Sequence, residues 1–273
     1  MRRFAATLVF ALVLSPSALA GGPNPAGIQG GDGALLPDGS ARYVAVKAGA
    51  DTVLKALATG EGTVLGTRTL AGKWGIPRID AGTSISHDGR TLVLAPTTIH
   101  SPTSFTVVDT KQLRVRKTVT LQGAYAFDAL SPDGSLLYVV QYASLDNVGR
   151  YVVRAVDLRT GTLLKGRIAD KTQRSWVMQG LPVTRVSSSD GRWVYTLYAN
   201  PGGYPFVHAL DTVKRSAHCV GIPWRGDANE PWSMRLALRD DSKSLAVNRA
   251  SGVGFVAIDL SSWKISYLDG SGG

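Results

Sequence analysis

The sequence lacks the features that would cross-link a small fold or anchor it in a membrane. Its one cysteine, Cys219, cannot form an internal disulfide, so a hydrophobic core must hold the fold. After residue 20, no apolar run approaches the roughly 20 residues that span a bilayer. Only 18% of the residues are charged and 44% are hydrophobic, which excludes a disordered chain and favours a globular protein.

Catalytic and cofactor motifs are also missing. The sequence has no Gly-x-Ser-x-Gly elbow, phosphate-binding loop or dinucleotide glycine pattern. The four histidines (His87, His100, His208 and His218) have no metal-ligand spacing, so we expect no metal and no cofactor. His218 and Cys219 are adjacent on a predicted strand, where neighbouring side chains point to opposite faces. We therefore expect Cys219 to be a buried small hydrophobe rather than a nucleophile.

The N-terminal segment has the pattern of a secretory signal peptide. Arg2 and Arg3 are followed by an apolar stretch over residues 4–14, and Ala18-Leu19-Ala20 is a small-x-small cleavage pattern before Gly21. The two arginines fit either general or twin-arginine export. Removal of residues 1–20 leaves 28 basic and 20 acidic side chains, a net charge of +8. We expect an exported, soluble, basic protein that is periplasmic, associated with the cell wall or extracellular.

One short pattern recurs along the whole mature chain. Its clearest copy is Leu130-Ser131-Pro132-Asp133-Gly134, and related copies place the aligned aspartates at Asp38, Asp88, Asp133, Asp190 and Asp241, with separations of 50, 45, 57 and 51 residues. A later strand in four copies ends in an apolar residue and an aspartate, at Asp109, Asp157, Asp211 and Asp259. Pro-Asp-Gly joins two antiparallel strands in a tight turn. Each unit is therefore predicted to be a four-stranded meander.

A meander of 45–50 residues is the size of a propeller blade, and blades packed radially bury both faces of each sheet. This explains continuous apolar runs such as Leu136–Val140. The prediction is an all-β fold: a β-propeller of about five four-stranded blades, in a single domain over residues 21–269 with a flexible Gly/Ser tail at 270–273. Six blades would result if the segment Trp176–Pro182 held extra strands.

The units resemble WD40-like and YVTN-type β-propeller repeats, whose blades carry a Ser-Pro-Asp-Gly turn and a later apolar-Asp pair. The resemblance covers nearly the whole chain after the signal segment, and residues 150–211 are similar to uncharacterised exported propellers of actinobacteria. It implies the fold but no activity, because propellers of this type include scaffolds, binding modules and lactonase-like enzymes.

Candidate binding residues fall in two groups. Asp128 and Arg185 lie five residues before aligned turn aspartates, on the strand expected to line the channel, where they would form an ion pair or meet a ligand. The others lie on long, atypical connections between strands or between blades, where propellers usually bind partners. Trp74 and Arg78 are predicted to lie on the connection Lys73–Arg78 between two blades. Those connections carry four of the six tryptophans, which either stack on a ligand or fill seams between blades. The candidates there are Trp74, Arg78, Tyr142, Arg150, Trp176, Tyr204 and Trp232.

Two functions fit these patterns. The first is a binding or scaffold module of the cell envelope, acting as a monomer on a protein or glycan. The second is a hydrolase or lactonase-like enzyme with acids and histidines converging at one mouth of the channel. Nucleic acid is not an expected partner, because no basic stripe interleaved with aromatics is present and the chain carries an export signal.

Overall fold

A computed structural model describes residues 24–78, 84–170, 172, 177–200, 203–227, 229–239 and 242–268. The predicted signal peptide and the predicted tail lie outside these residues. The described part consists of 22 β-strands and one 3-10 turn at Glu230–Ser233. No helix in it has the length and hydrophobicity of a membrane span.

The strands form five antiparallel sheets in chain order, which confirms the predicted all-β repeat. Blade 1 contains β2 (Ala34–Leu35), β3 (Ala41–Ala48), β4 (Asp51–Ala58) and β5 (Val64–Leu70). Blade 2 contains β6 (Trp74–Arg78), β7 (Thr91–Pro96), β8 (Thr103–Asp109) and β9 (Arg114–Leu121), and β1 (Asn24–Ile28) pairs with β6. Blade 3 contains β10 (Tyr125–Leu130), β11 (Leu136–Tyr142), β12 (Arg150–Asp157), β13 (Thr162–Leu163) and β14 (Met178–Gln179).

The last two blades are plain four-stranded meanders. Blade 4 contains β15 (Leu181–Ser187), β16 (Trp193–Ala199), β17 (Phe206–Asp211) and β18 (Ser216–Gly221). Blade 5 contains β19 (Arg235–Leu238), β20 (Ser244–Asn248), β21 (Gly254–Asp259) and β22 (Ile265–Tyr267). The segment considered for a sixth blade does not form one in the described residues, because β14 pairs with β12 and β15 begins blade 4.

The repeated turn has the same geometry in the four clear copies. In blade 3 the amide of Gly134 donates to the Ser131 carbonyl at 2.9 Å, and Asp133 Oδ1 accepts from the Ser135 amide at 3.1 Å. Gly134 has a φ of +65°, which a residue without a Cβ adopts at low cost. Blade 5 makes the corresponding hydrogen bond without glycine. Ser242 takes a φ of +50°, and its amide donates to the Arg239 carbonyl.

The central strands bury both faces, as the apolar runs predict. In β11, Leu137 and Val139 pack toward blade 2, whereas Tyr138 and Val140 pack toward blade 4. Four hydrophobic clusters join consecutive blades in this way, from blade 1 to blade 5. Burial on alternate faces requires both neighbours, so each inner blade depends on the blades beside it.

Candidate binding site

A cavity of about 550 Å³ opens among the first strands and first turns of blades 1–4. We call it the central cavity. Its walls are mostly apolar, with Leu36 and Ile85 among the side chains that line it. The polar groups are His87, Arg185 and the three consecutive serines Ser187–Ser189. Among the described lining residues there is no carboxylate.

The mouth of the central cavity is built from the repeated turns, which contact one another. The Asp88 amide of blade 2 donates to the Pro132 carbonyl of blade 3 at 3.0 Å. A Cβ added to Gly134 would lie 2.4 Å from Thr91 Oγ1, and one added to Gly191 would lie 2.8 Å from His87 Cβ. Glycine is therefore required where the turns of blades 3 and 4 meet blade 2. These contacts pack the turns of blades 2, 3 and 4 against one another.

Asp128 and Arg185 form a buried ion pair between blades 3 and 4. Both side chains are 3% exposed, and the Arg185 guanidinium donates to a carboxylate oxygen and to the main-chain carbonyl of Asp128. Arg185 Nε also donates to Thr196 Oγ1 at 2.7 Å. The predicted channel-strand positions are therefore brought together.

A β-bulge explains why Asp128 reaches its partner. The register of β10 against β11 shifts between Phe127 and Ala129, so Asp128 is the extra residue. Phe127 packs toward blade 2, whereas Ala129 packs toward blade 4. A bulge turns a side chain away from strict alternation. Here it lets Asp128 and Ala129 share the face that meets blade 4.

The other predicted site residues within the described ranges do not meet at the central cavity. Tyr142 and Arg150 flank the β11–β12 connection and Tyr204 lies in the β16–β17 connection, at the opposite end of the strands from the repeated turns. Tyr142 is half-buried, Arg150 is exposed, and Tyr204 is 62% exposed. Trp232 lies in the 3-10 turn before blade 5 and is 40% exposed. Of the predicted residues that the structure describes, only Arg185 lines the cavity.

Trp74 and Arg78 were expected on a loop between blades, and that expectation is wrong. Both lie in β6, which is held in strand conformation by pairing with β1 on one side and β7 on the other. Trp74 is half-buried against the cluster between blades 1 and 2, and its indole donates to the Ala71 carbonyl at 2.7 Å. Trp176 lies outside the described residues.

Cys219 contacts a histidine on the neighbouring strand, His208, rather than its sequence neighbour His218. His208 Nδ1 lies 3.5 Å from Cys219 Sγ, because the two residues are register partners in β17 and β18. Burial lowers the pKa of His208 to about 4 and raises the pKa of Cys219 to about 12. Both groups are therefore neutral near pH 7, and the pair does not supply a thiolate nucleophile. His218 instead contacts Asp170, with 3.2 Å between Nδ1 and Oδ2.

His87 and Ser189 are cavity residues that the sequence analysis did not single out. Both occupy the position before the turn aspartate, where the clear copies in blades 1 and 3 have Pro37 and Pro132. The replacement of this proline by a histidine or a serine in two copies is the sequence signal that could have identified these residues. In the described chain, no group of three His, Cys, Asp or Glu residues is placed to hold a metal ion.

No protein-family model matches this sequence, and comparison with curated proteins finds no match. Solved structures do match. Hydrazine synthase of Kuenenia stuttgartiensis is 16% identical with a TM-score of 0.53, over 84% of this chain and 64% of that one. The β-propeller domain of Cps50 (Swd1) from Myceliophteria thermophila is 11% identical with a TM-score of 0.51, over 88% and 72%.

A third match is the dihydro-heme d1 dehydrogenase NirN, at 14% identity and a TM-score of 0.53, over 84% of this chain and 43% of that one. The chain thus spans less than two thirds of the hydrazine synthase and NirN chains. At these identities the likeness concerns the fold alone. Together with the five sheets, it identifies the architecture of this chain as a β-propeller.

Proposed function

We propose that this chain is an exported binding module that takes its ligand at the central cavity. The observation that carries the proposal is the cavity itself, about 550 Å³ in volume and formed by four blades. Ligand sites are commonly concave and mostly apolar, with a few polar groups, and have volumes of roughly 300–1,000 Å³. The central cavity has each of these properties.

The lining favours a ligand with one apolar face and several hydroxyl or amide groups. Leu36 and Ile85 offer an apolar wall, and Ser187 and Ser189 offer hydroxyls that both donate and accept. The Arg185 charge is already neutralised by Asp128, so the cavity is not built around an anion. A sugar ring or a peptide side chain from a cell-envelope glycan or protein fits this chemistry.

A tryptophan at the mouth tests the proposal. Ser189 is exposed on the blade 4 turn and lines the cavity, so Ser189→Trp should fill the mouth without disturbing the core. Ser251→Trp is the matched control, because Ser251 is an exposed serine on the β20–β21 connection and does not line the cavity. The probes are N-acetylglucosamine oligomers and short peptides, and ligand-observed NMR measures their binding.

We expect at least one probe to bind the unmodified protein and the Ser251→Trp variant, and binding to fall at least tenfold in Ser189→Trp, a loss of about 1.4 kcal/mol. If no probe binds, or if both variants bind as the unmodified protein does, the central cavity is not the site.

Export is tested on the same chain. The signal pattern predicts that the secreted product begins at Gly21, which intact-mass measurement of the mature protein detects. Leu8→Arg breaks the apolar stretch and should keep the uncleaved chain in the cell. Secretion of an uncleaved product, or normal export of the variant, would contradict a cleaved signal peptide.

A further inference from the structure

A second, smaller cavity lies away from the central cavity, between the outer edges of blades 3 and 4. It has a volume of about 180 Å³. Four of the residues that line it are basic: Lys165, Arg167, Lys214 and Arg215. We call it the basic cleft. Its volume is below that of pockets for drug-sized ligands, so it suits one small group.

The blade 3 side of the basic cleft is an interruption in the outer strand. The Leu164 amide donates to the Ala155 carbonyl and the Ile168 amide donates to the Val153 carbonyl, both at 2.8 Å. Residues 165–167 leave the sheet between these two bonds. Gly166 has a φ of +91°, and the Leu164 carbonyl accepts from Arg154 Nη2 at 3.0 Å. This excursion presents Lys165 and Arg167 toward blade 4.

The blade 4 side is the turn between β17 and β18. Asp211 Oδ1 accepts from the Lys214 amide at 2.9 Å, which orders the turn. The Asp211 carboxylate is itself bound to Arg192, with 2.7 Å between Oδ2 and Nη2. Asp211 is therefore paired with Arg192 and not with a basic residue of the cleft. Lys214 and Arg215 remain exposed at the edge of the cleft.

None of the four basic side chains is paired with an Asp or Glu among the described residues. None of their side chains takes part in an ion pair or a hydrogen bond with the described residues. The amides of Lys165, Gly166 and Arg167 also have no acceptor there. Like charges held together repel, and an anion among them relieves that repulsion while accepting from side chains and amides.

We propose that the basic cleft binds a single phosphate group, either as free phosphate or as the phosphate of a larger anionic molecule. The basic cleft lies between blades 3 and 4 and shares no lining residue with the central cavity. Loss of central-cavity binding in Ser189→Trp would leave phosphate binding unchanged.

Inorganic phosphate is the first probe, titrated at low ionic strength against chloride at equal ionic strength, because salt screens exposed charges. We expect phosphate to raise the melting temperature more than chloride does, and a dissociation constant to be measurable by calorimetry. Lys214→Gln and the double variant Lys165→Gln/Arg167→Gln should each weaken phosphate binding by roughly tenfold or more, because each removes charge-assisted hydrogen bonds.

The matched control removes the same charge elsewhere. Lys47 and Lys111 are exposed lysines on blades 1 and 2, and neither lines the cleft. Lys47→Gln/Lys111→Gln should bind phosphate as the unmodified protein does. The proposal is overturned if phosphate acts no differently from chloride, or if the control weakens binding as much as the cleft variants, since either result means diffuse attraction to a basic protein.

A vesicle experiment distinguishes the source of the phosphate. Sedimentation with phosphatidylcholine vesicles is compared with and without phosphatidic acid. Binding that requires phosphatidic acid and is lost in Lys214→Gln assigns the cleft to a lipid headgroup. Phosphate binding without vesicle binding assigns it to a soluble phosphate. Vesicle binding that survives in both cleft variants contradicts a role for the cleft.

Discussion

The buried ion pair between blades 3 and 4 gives the sharpest test of the structure. Arg185→Met removes the cation and leaves the Asp128 carboxylate buried. Breaking a buried pair in this way costs about 3–5 kcal/mol. The Thr196 hydroxyl and the Asp128 carbonyl also lose a donor, so we expect the upper end of that range.

Asp128→Val should cost less, near about 3 kcal/mol of unfolding free energy, the lower end of the range for a broken buried pair. Arg185 keeps its hydrogen bonds to Thr196 Oγ1 and to the main-chain carbonyl of residue 128 in that variant. The double variant leaves neither ion behind, so its cost should fall below the sum of the two single costs by at least about 2 kcal/mol.

Urea denaturation measures these free energies, and linear extrapolation gives each value in water. The pair Arg42–Asp32 is the control, since its side chains are 42% and 78% exposed and 3.9 Å separates the charged atoms. Its coupling should be about 0–1 kcal/mol. Costs under about 1 kcal/mol for both single variants at the buried pair, as exposed pairs show, would refute a buried, coupled ion pair, and so would equal coupling in the two cycles.

Three further outcomes are expected. Gly134→Ala should lower the unfolding free energy by about 1–3 kcal/mol more than Gly39→Ala does. Both glycines have a positive φ, but of the two only Gly134 would bring an added Cβ against a neighbouring blade. Equal costs in urea denaturation would contradict the contact between the turns. Since His208 has its pKa lowered to about 4, the unfolded chain binds its proton first as the pH falls below about 6.5, and stability should drop by about 2 kcal/mol between pH 7 and pH 5. His208→Phe should lose that contribution to the pH dependence, and an unchanged pH profile would argue against burial. At pH 8 folded Cys219 should have a thiolate fraction roughly a thousandfold below that of an ordinary thiol. It should therefore react with a disulfide reagent much more slowly in the folded than in the unfolded protein, whereas Ser251→Cys should add one thiol that reacts rapidly in the folded protein.

The repeat unit could be predicted from sequence because it is encoded locally. Asp133 and Gly134 specify their turn through a side chain that accepts from the backbone two residues on and a φ above zero. The strands on each side follow from the apolar runs, and the 45–57-residue spacing of the aspartates sets the number of blades. Burial of both faces follows because a continuous apolar strand needs neighbours on both sides.

Other features depend on which segments the fold brings together. The pairing of β1 with β6 made Trp74 and Arg78 strand residues, although their local sequence indicated a connection. The bulge at Asp128 turned its side chain toward Arg185, 57 residues away in sequence. Cys219 lies beside His208 because the register of β17 and β18 places the two residues opposite each other.

The two candidate sites show the same division. Sequence determined that the chain is basic, that it repeats, and that Asp128 and Arg185 occupy equivalent positions. Only the tertiary structure decided that His87 and Ser189 line one cavity, and that the Lys165–Arg167 excursion faces Lys214 and Arg215. The physical reason is that turns and strands follow from neighbouring residues, whereas cavities and ion pairs follow from the distances between blades.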